Sequence, residues 1–223
     1  IVCPLTGFGV QGDQAHRPAY DTSLCSLSGI DVEQAGEGNP PVAFGAADIS
    51  SGVATATAIM LALRARDVTG RGQAVGVSMI GAMAYVMADG FPDYAAKPSL
   101  PKLDQGQHGT SPLYRLYPTQ DGWLFLAAIQ EKHRDALRQV LLQLQYPVEG
   151  LEGRGEALDA WPGSQRQEDR LLPALAAAFR ARTTAEWLAL LQPAGVPCAN
   201  PLVGLQAFVL EQPGLIPNEL CVT

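Results

Sequence analysis

The chain has 223 residues, 47% of them apolar, and a formal net charge of −7. That is enough for one large domain or two small ones with packed cores, and it excludes a largely disordered chain. The acidic balance argues against nucleic acid as a partner, and the apolar runs are broken by Thr, Gly or Arg before membrane-spanning length, so neither nucleic acid nor membrane is expected.

Ile1-Val2-Cys3 reads as a short strand, followed by a turn rich in glycine at Gly7, Gly9 and Gly12. A helix is predicted from Pro18 to Gly29, with Pro at its start and Gly past its end. Residues 31–41 read as a polar loop. Ile49 to Arg66 is predicted as a helix with Asp48 at its N-cap. Its residues are apolar on nearly every face, which predicts burial on several sides. Thr69 to Gln73 forms a tight turn, Ala74 to Met79 a short buried strand, and Ile80 to Tyr94 a further helix. This alternation is the rhythm of an α/β sheet domain.

A linker with Pro98 and Pro101 follows, and the rhythm changes. Leu113–Tyr117 and Trp123–Ala127 flank Asp121-Gly122, a hairpin signature. Helices are predicted over Lys132–Leu144, Gln167–Arg180 and Thr184–Leu191, the last with a capping box at Thr183 and Glu186. Val196–Ala199 reads as a strand and Val203–Leu210 as a short helix. The division expected is 1–97 for an α/β part, 98–107 for a linker and 108–223 for a separate α+β part. Ile1 and the strand-like end at Leu220–Thr223 predict the interior of a longer polypeptide.

Four cysteines, Cys3, Cys25, Cys198 and Cys221, lack C-x-x-C spacing and read as buried thiols of a cytoplasmic protein, with no metal site. The three histidines form no constellation, and no G-x-S-x-G elbow supports a hydrolase triad. Gly70-Arg71-Gly72 reads as turn geometry. Gly106 to Thr110 reads as a flexible polar loop, either a connector or a flap over a site.

Asp48 has two readings. As an N-cap it would stabilise its helix by about 1 kcal/mol. As a nucleophile it would use a helix start that favours an anion, and would attack an activated acyl group to form a mixed anhydride. The two readings are compatible only if the side chain points away from its own helix.

An ordered series of segments adds to this. Pro18-Ala19-Tyr20-Asp21, Leu27-Ser28-Gly29, Ala47-Asp48-Ile49-Ser50-Ser51-Gly52, Ala62-Leu63-Arg64-Ala65-Arg66, Thr69-Gly70-Arg71-Gly72-Gln73 and Val75-Gly76-Val77-Ser78-Met79 occur in this order. The series resembles the class III CoA-transferases, the CaiB/BaiF family. Pro112-Leu113-Tyr114-Arg115 with Asp121-Gly122-Trp123 is similar to the opening hairpin of that family's small domain.

The resemblance implies part of a large α/β (Rossmann-like) domain followed by a small α+β domain, in a family of interlocked homodimers. It implies that Asp48 is the nucleophile, acting on an acyl-CoA with a carboxylic acid as acceptor. CoA is then a substrate moiety, and no tightly bound cofactor is expected. It further implies that Thr6, Gly7, Phe8 and Arg17 line the CoA channel, with Tyr20 beside them, and that Gln107, His108, Gly109 and Thr110 form a loop over the reacting centre.

The same family contains α-methylacyl-CoA racemases, which carry a His where this chain has Tyr20 and a Glu where it has Gln130, with Glu131 one place on. Tyr is a poor acid or base near neutrality and Gln does not titrate, so transfer is favoured over racemization. The alternatives are a 2-methylacyl-CoA racemase or epimerase, and a non-catalytic acyl-CoA-binding paralogue.

Overall fold

The computed structural model describes residues 1–97, 100–146 and 165–201. Two compact units divide at Gln107/His108.

In the first unit, β1 (Leu5–Thr6) pairs in parallel with β2 (Val77–Ser78), and Val2 bridges Ala74 in the same direction. The strands are thus two residues each, and the pairing begins within the Ile1–Cys3 run as a single bridge at Val2. Among its described residues are the helices α1 (Asp21–Ser28), α2 (Ile30–Glu33), α3 (Ala47–Thr69) and α4 (Met79–Val86). Helix α1 starts at Asp21, three residues after Pro18, and ends at Gly29, whose φ of 89° needs a residue without a Cβ. Helix α2 lies in what the sequence suggested was all loop.

The core of this unit is small. Leu24 and Cys25 of α1, Ile30 of α2, Ala47 of α3, and Met83 and Met87 at the end of α4 pack together. Phe8, Ala19, Ala46, Met79 and Ile80 lie against them. The expectation that α3 is buried on several sides does not hold. Only Ala47, Ser51 and Ala62 of α3 are buried, while Ile49 is 74% exposed and Met60 70%. An all-round apolar helix shows that several faces could be covered, and within this unit only one face is.

The second unit carries a four-stranded antiparallel sheet in the order β3-β4-β5-β6, formed by Gly109–Ser111, Tyr114–Pro118, Trp123–Ala127 and Cys198–Ala199. The β4–β5 hairpin has the predicted strands, with β4 shifted one residue toward the turn. Its turn is closed by the Thr119 N–H donating to Gly122 O at 2.9 Å and the Gly122 N–H donating to the Thr119 hydroxyl at 3.1 Å. Helices α5 (Glu131–Gln143), α6 (Gln165–Arg180) and α7 (Thr184–Leu191) cover one face. The alternation along β5 puts Leu124 and Leu126 fully inside. They meet Tyr117, Leu137, Leu141, Leu175, Phe179 and Trp187.

The start of α7 is fixed by side chains from two places. The Thr183 hydroxyl accepts the Glu186 N–H, and the Glu186 carboxylate accepts the Thr183 N–H, completing the predicted capping box of α7. Asp121, from the hairpin turn, accepts the Thr184 N–H at 2.8 Å. The helix expected at Val203–Leu210, the terminal strand at Leu220–Thr223, Pro98 and Cys221 lie outside the described residues. Of the other cysteines, Cys25 is buried, while Cys3 and Cys198 are half-buried.

Trp187 anchors the second core. It is fully buried, its Nε1 donates to Phe179 O at 2.9 Å, and its ring meets that of Phe179 edge-on at 5.0 Å. Trp187→Ala is expected to lower unfolding free energy by about 3–5 kcal/mol, read as a shift in the urea midpoint.

Candidate functional site

The structure corrects the position of Asp48. Helix α3 begins at Ala47, its N-cap is Ala46, and Asp48 is the second helical residue. The side chain of Asp48 is exposed, and among the described residues it takes no hydrogen bond and no ion pair. It does not cap its own helix.

The capping work falls to Asp21, the first residue of α1. Its Oδ1 accepts the Ala46 N–H at 3.0 Å and the Ala47 N–H at 2.8 Å. The Cys25 thiol donates to the same oxygen at 3.2 Å, and the Cys25 sulfur accepts the Ala46 N–H at 3.3 Å. Gly45 permits this approach, because a Cβ there would lie 3.3 Å from Asp21 Oδ2. Farther into the turn, the Ser50 hydroxyl donates to Ala46 O at 2.6 Å and the Ser51 hydroxyl to Asp48 O at 3.1 Å. The helix start is therefore bonded on both its donor and acceptor sides without using the carboxylate of Asp48.

Burial pushes the Asp21 carboxyl up. The hydrogen bonds from the Ala47 N–H, the Cys25 thiol, the Ala46 N–H and the Asp48 N–H outweigh that, and its pKa lies below the ordinary aspartate value. Burial pushes the Cys25 thiol up, so it stays a neutral donor.

Other candidates of the first unit lie along the β1 turn and the start of α1. The Gly7 turn presses on Ala19, where a Cβ on Gly7 would stand 2.3 Å from Ala19 Cβ. Gly7 O accepts the Ile80 N–H at 3.1 Å, and the Thr6 hydroxyl accepts the Gly9 N–H at 3.0 Å. Phe8 and Ala19 pack on the core that holds Ala47. The Arg17 guanidinium lies 5.0 Å over the Phe8 ring and donates to Gln14 Oε1 at 2.7 Å. Tyr20 is the N-cap of α1 and its side chain is 78% exposed. Tyr20 and Asp48 each sit one residue from the Asp21–Ala47 hydrogen bond. Gly7 and Phe8 thus pack toward the core at the start of α3, and Tyr20 and Asp48 flank the hydrogen bond that joins α1 to α3.

The expected loop at 107–110 is not a free loop. Gln107 closes the first unit with φ of 58°, and its side-chain amide donates to Ala35 O at 2.9 Å. His108 opens the second unit, where its ring stacks on Trp123 at 5.0 Å and 24°. Gly109 and Thr110 are in strand β3. The physical reason lies at Gly109: a Cβ there would stand 2.2 Å from Arg115 Cβ, so glycine lets β3 lie against β4. Gly109, read as flexibility, is a close-packing residue here. Gln130 is the N-cap of α5 and Glu131 its first residue, both exposed in the second unit.

Sequence reasoning missed Asp21 as a site residue. Its position at the start of a helix gives it an ordinary local role, and its partners lie 25 and 26 residues away. The one available signal was its inclusion in the Pro18–Asp21 segment of the ordered series. Among the described residues no cluster of His, Cys, Asp or Glu could hold a metal ion, and no helix is long and apolar enough to cross a membrane.

Comparison with known proteins supplies a context. The sequence pattern described as CoA-transferase family III matches residues 1–222. The succinyl-CoA:glutarate CoA-transferase of Mus musculus is 28% identical over 199 residues, covering 88% of this chain and 44% of the relative. The alpha-methylacyl-CoA racemase of Homo sapiens is 27% identical over 219 residues, covering 94% and 53%. A CAIB/BAIF family protein from Brucella suis superposes with a TM-score of 0.69 at 25% identity, covering 99% of this chain and 57% of that one. The chain spans about half the length of the curated relatives it matches.

A carboxylate whose folded pKa is depressed adds stability above its unfolded pKa and loses it as pH falls through the folded value. Asp21 is such a group. Its contribution is fully present above about pH 4 and disappears below that. Asp21→Asn is expected to lower the melting temperature at neutral pH and to flatten the acid side of the stability profile, read by thermal melts from neutral to acid pH.

Proposed function

Because the chain belongs to CoA-transferase family III, we propose that the protein moves CoA from an acyl-CoA to a free carboxylic acid, with Asp48 as the covalent nucleophile. The observation that carries this reading is the free carboxylate of Asp48 on a helix start capped by another residue.

The chemistry follows from what such a carboxylate can do. An Asp48 oxygen attacks the thioester carbonyl of the donor, the C–S bond breaks, and CoA thiolate leaves behind an aspartyl–acyl anhydride. The thiolate attacks the aspartyl carbonyl of that anhydride, releasing the donor acid and forming an aspartyl-CoA thioester. The acceptor carboxylate attacks this thioester and expels thiolate, giving a second anhydride. Thiolate then attacks the acceptor's carbonyl, forming the new acyl-CoA and freeing Asp48. One thioester replaces another, so no external energy source is required and no net proton is taken up or lost.

The neighbourhood of Thr6, Gly7, Phe8, Arg17 and Tyr20 supports a place for CoA within this reading. Arg17 supplies a cation suited to phosphate in an otherwise acidic chain. Exposed Tyr20 supplies a hydroxyl where a racemase of the family would need a titrating imidazole. A cytoplasmic setting and an interlocked homodimer belong to the same proposal.

The test uses the full-length protein with an acyl-CoA donor and a panel of carboxylic acids. Hydroxylamine should displace CoA from the aspartyl-CoA thioester and leave a hydroxamate on the peptide containing Asp48, and Asp48→Ala should reduce CoA transfer by about 10³-fold or more. An unlabelled Asp48 peptide with full turnover would contradict the proposal. So would deuterium wash-in at the α-carbon of a 2-methylacyl-CoA without any transfer, which would select the racemase reading.

A further inference from the structure

We propose that Asp21 is a positioning residue for the reaction, holding Asp48 free by occupying the helix-start donors that Asp48 would otherwise turn back to bind. The inference deepens the reading of Asp48 as nucleophile and rests on it.

An aspartate at the second position of a helix stands beside first-turn N–H groups that have no partner within the helix. Left open, these donors and the positive end of the helix attract the nearest carboxylate, and the nearest by sequence is Asp48. In this structure the Ala46 and Ala47 N–H groups are already bonded to Asp21 Oδ1, at 3.0 and 2.8 Å. Cys25 locks the arrangement, its thiol donating to Oδ1 and its sulfur accepting the Ala46 N–H. Ala47 itself is fully buried beside Leu24 and Met83, so the peptide that leads into Asp48 is fixed on one side by packing and on the other by charge-assisted hydrogen bonds. Rotation of Asp48 toward its own helix would have to displace this capping acid.

Asp21 does this through the backbone, and its bonded oxygen has no capacity left for substrate. Its loss should therefore act on the reaction step more than on binding. Freed N–H groups would draw Asp48 back, and the nucleophile would spend most of its time in a capping conformation. Asn retains an acceptor oxygen but no charge, so it should restore part of the function.

The experiment uses the full-length protein and three variants: Asp21→Ala, Asp21→Asn, and Asp121→Asn as a control that weakens another remotely bonded helix start, that of α7. Melting temperature, KM for the acyl-CoA, kcat, and the single-turnover rate of hydroxylamine-trappable acylation at Asp48 are measured well below the melting transition. Asp21→Ala is expected to lower the acylation rate and kcat by about 10²-fold, the scale of a misplaced reacting group. KM should stay within about threefold, as expected when ground-state binding is left intact. Asp21→Asn should fall between wild type and Asp21→Ala, and Asp121→Asn should lose melting temperature but not kcat.

Wild-type acylation in Asp21→Ala would overturn the inference while leaving the nucleophile standing. If Asp21→Ala does not fold, Asp21→Asn decides. A kcat loss with unchanged KM, larger than in Asp121→Asn, supports positioning, and a loss no larger than the control overturns it. An unlabelled Asp48 in the wild type overturns the nucleophile reading and this inference together.

Discussion

The carboxylate of Asp21, bonded to the backbone N–H groups of Ala46 and Ala47, is the constraint on which the rest of the first unit depends. It joins the start of α1 to the start of α3 across 25 residues of chain. It gives the helix end the negative partner that a helix N-terminus favours. It also removes the local reason for Asp48 to fold back. A helix start favours a side-chain cap, and here the cap and the exposed acid are different residues. The second unit uses a related device, with Asp121 from a hairpin turn bonded to the first N–H of α7. At α3 tertiary structure supplies the cap that local sequence lacks, and at α7 it adds to the local capping box.

Packing explains why the arrangement is specific. The core of the first unit is made of few residues, and Ala47 and Cys25 are among the most deeply buried. Small side chains at Gly7, Ala19, Gly45, Ala46 and Ala47 let the β1 turn, α1 and α3 approach one another closely. Larger residues at Gly7 would strike Ala19 directly, and at Gly45 would crowd Asp21. Phe8 and Ala19 pack on the core that holds Ala47, and Arg17 stacks over Phe8 at the edge of that packing.

Much of the fold was legible in the sequence because it is written in local chemistry. The hairpin at Asp121-Gly122, the capping box at Thr183, and the glycine end of α1 appear at or near their predicted places. The misreadings share one cause. The α3 pattern shows which faces can be buried but not what covers them, so its exposed apolar residues could not be foreseen. Gly109 reads as flexibility until Arg115 is seen against it. Asp48 reads as a cap until a competing acid is found far away in sequence. Each of these is decided by a neighbour distant along the chain, and periodicity carries no information about such neighbours.

The central claim is that the carboxylate of Asp48 becomes covalently part of the transfer. A single turnover with an acceptor acid labelled in both carboxylate oxygens with oxygen-18 tests it most directly. Attack of the labelled acid on aspartyl-CoA makes a labelled oxygen the bridge of the anhydride, and the final thiolate attack leaves that oxygen on the enzyme. The account predicts one oxygen-18 atom in the Asp48 carboxylate, located by mass spectrometry of its peptide. Formation of the new acyl-CoA with the label found in the released donor acid and none on Asp48 would contradict it.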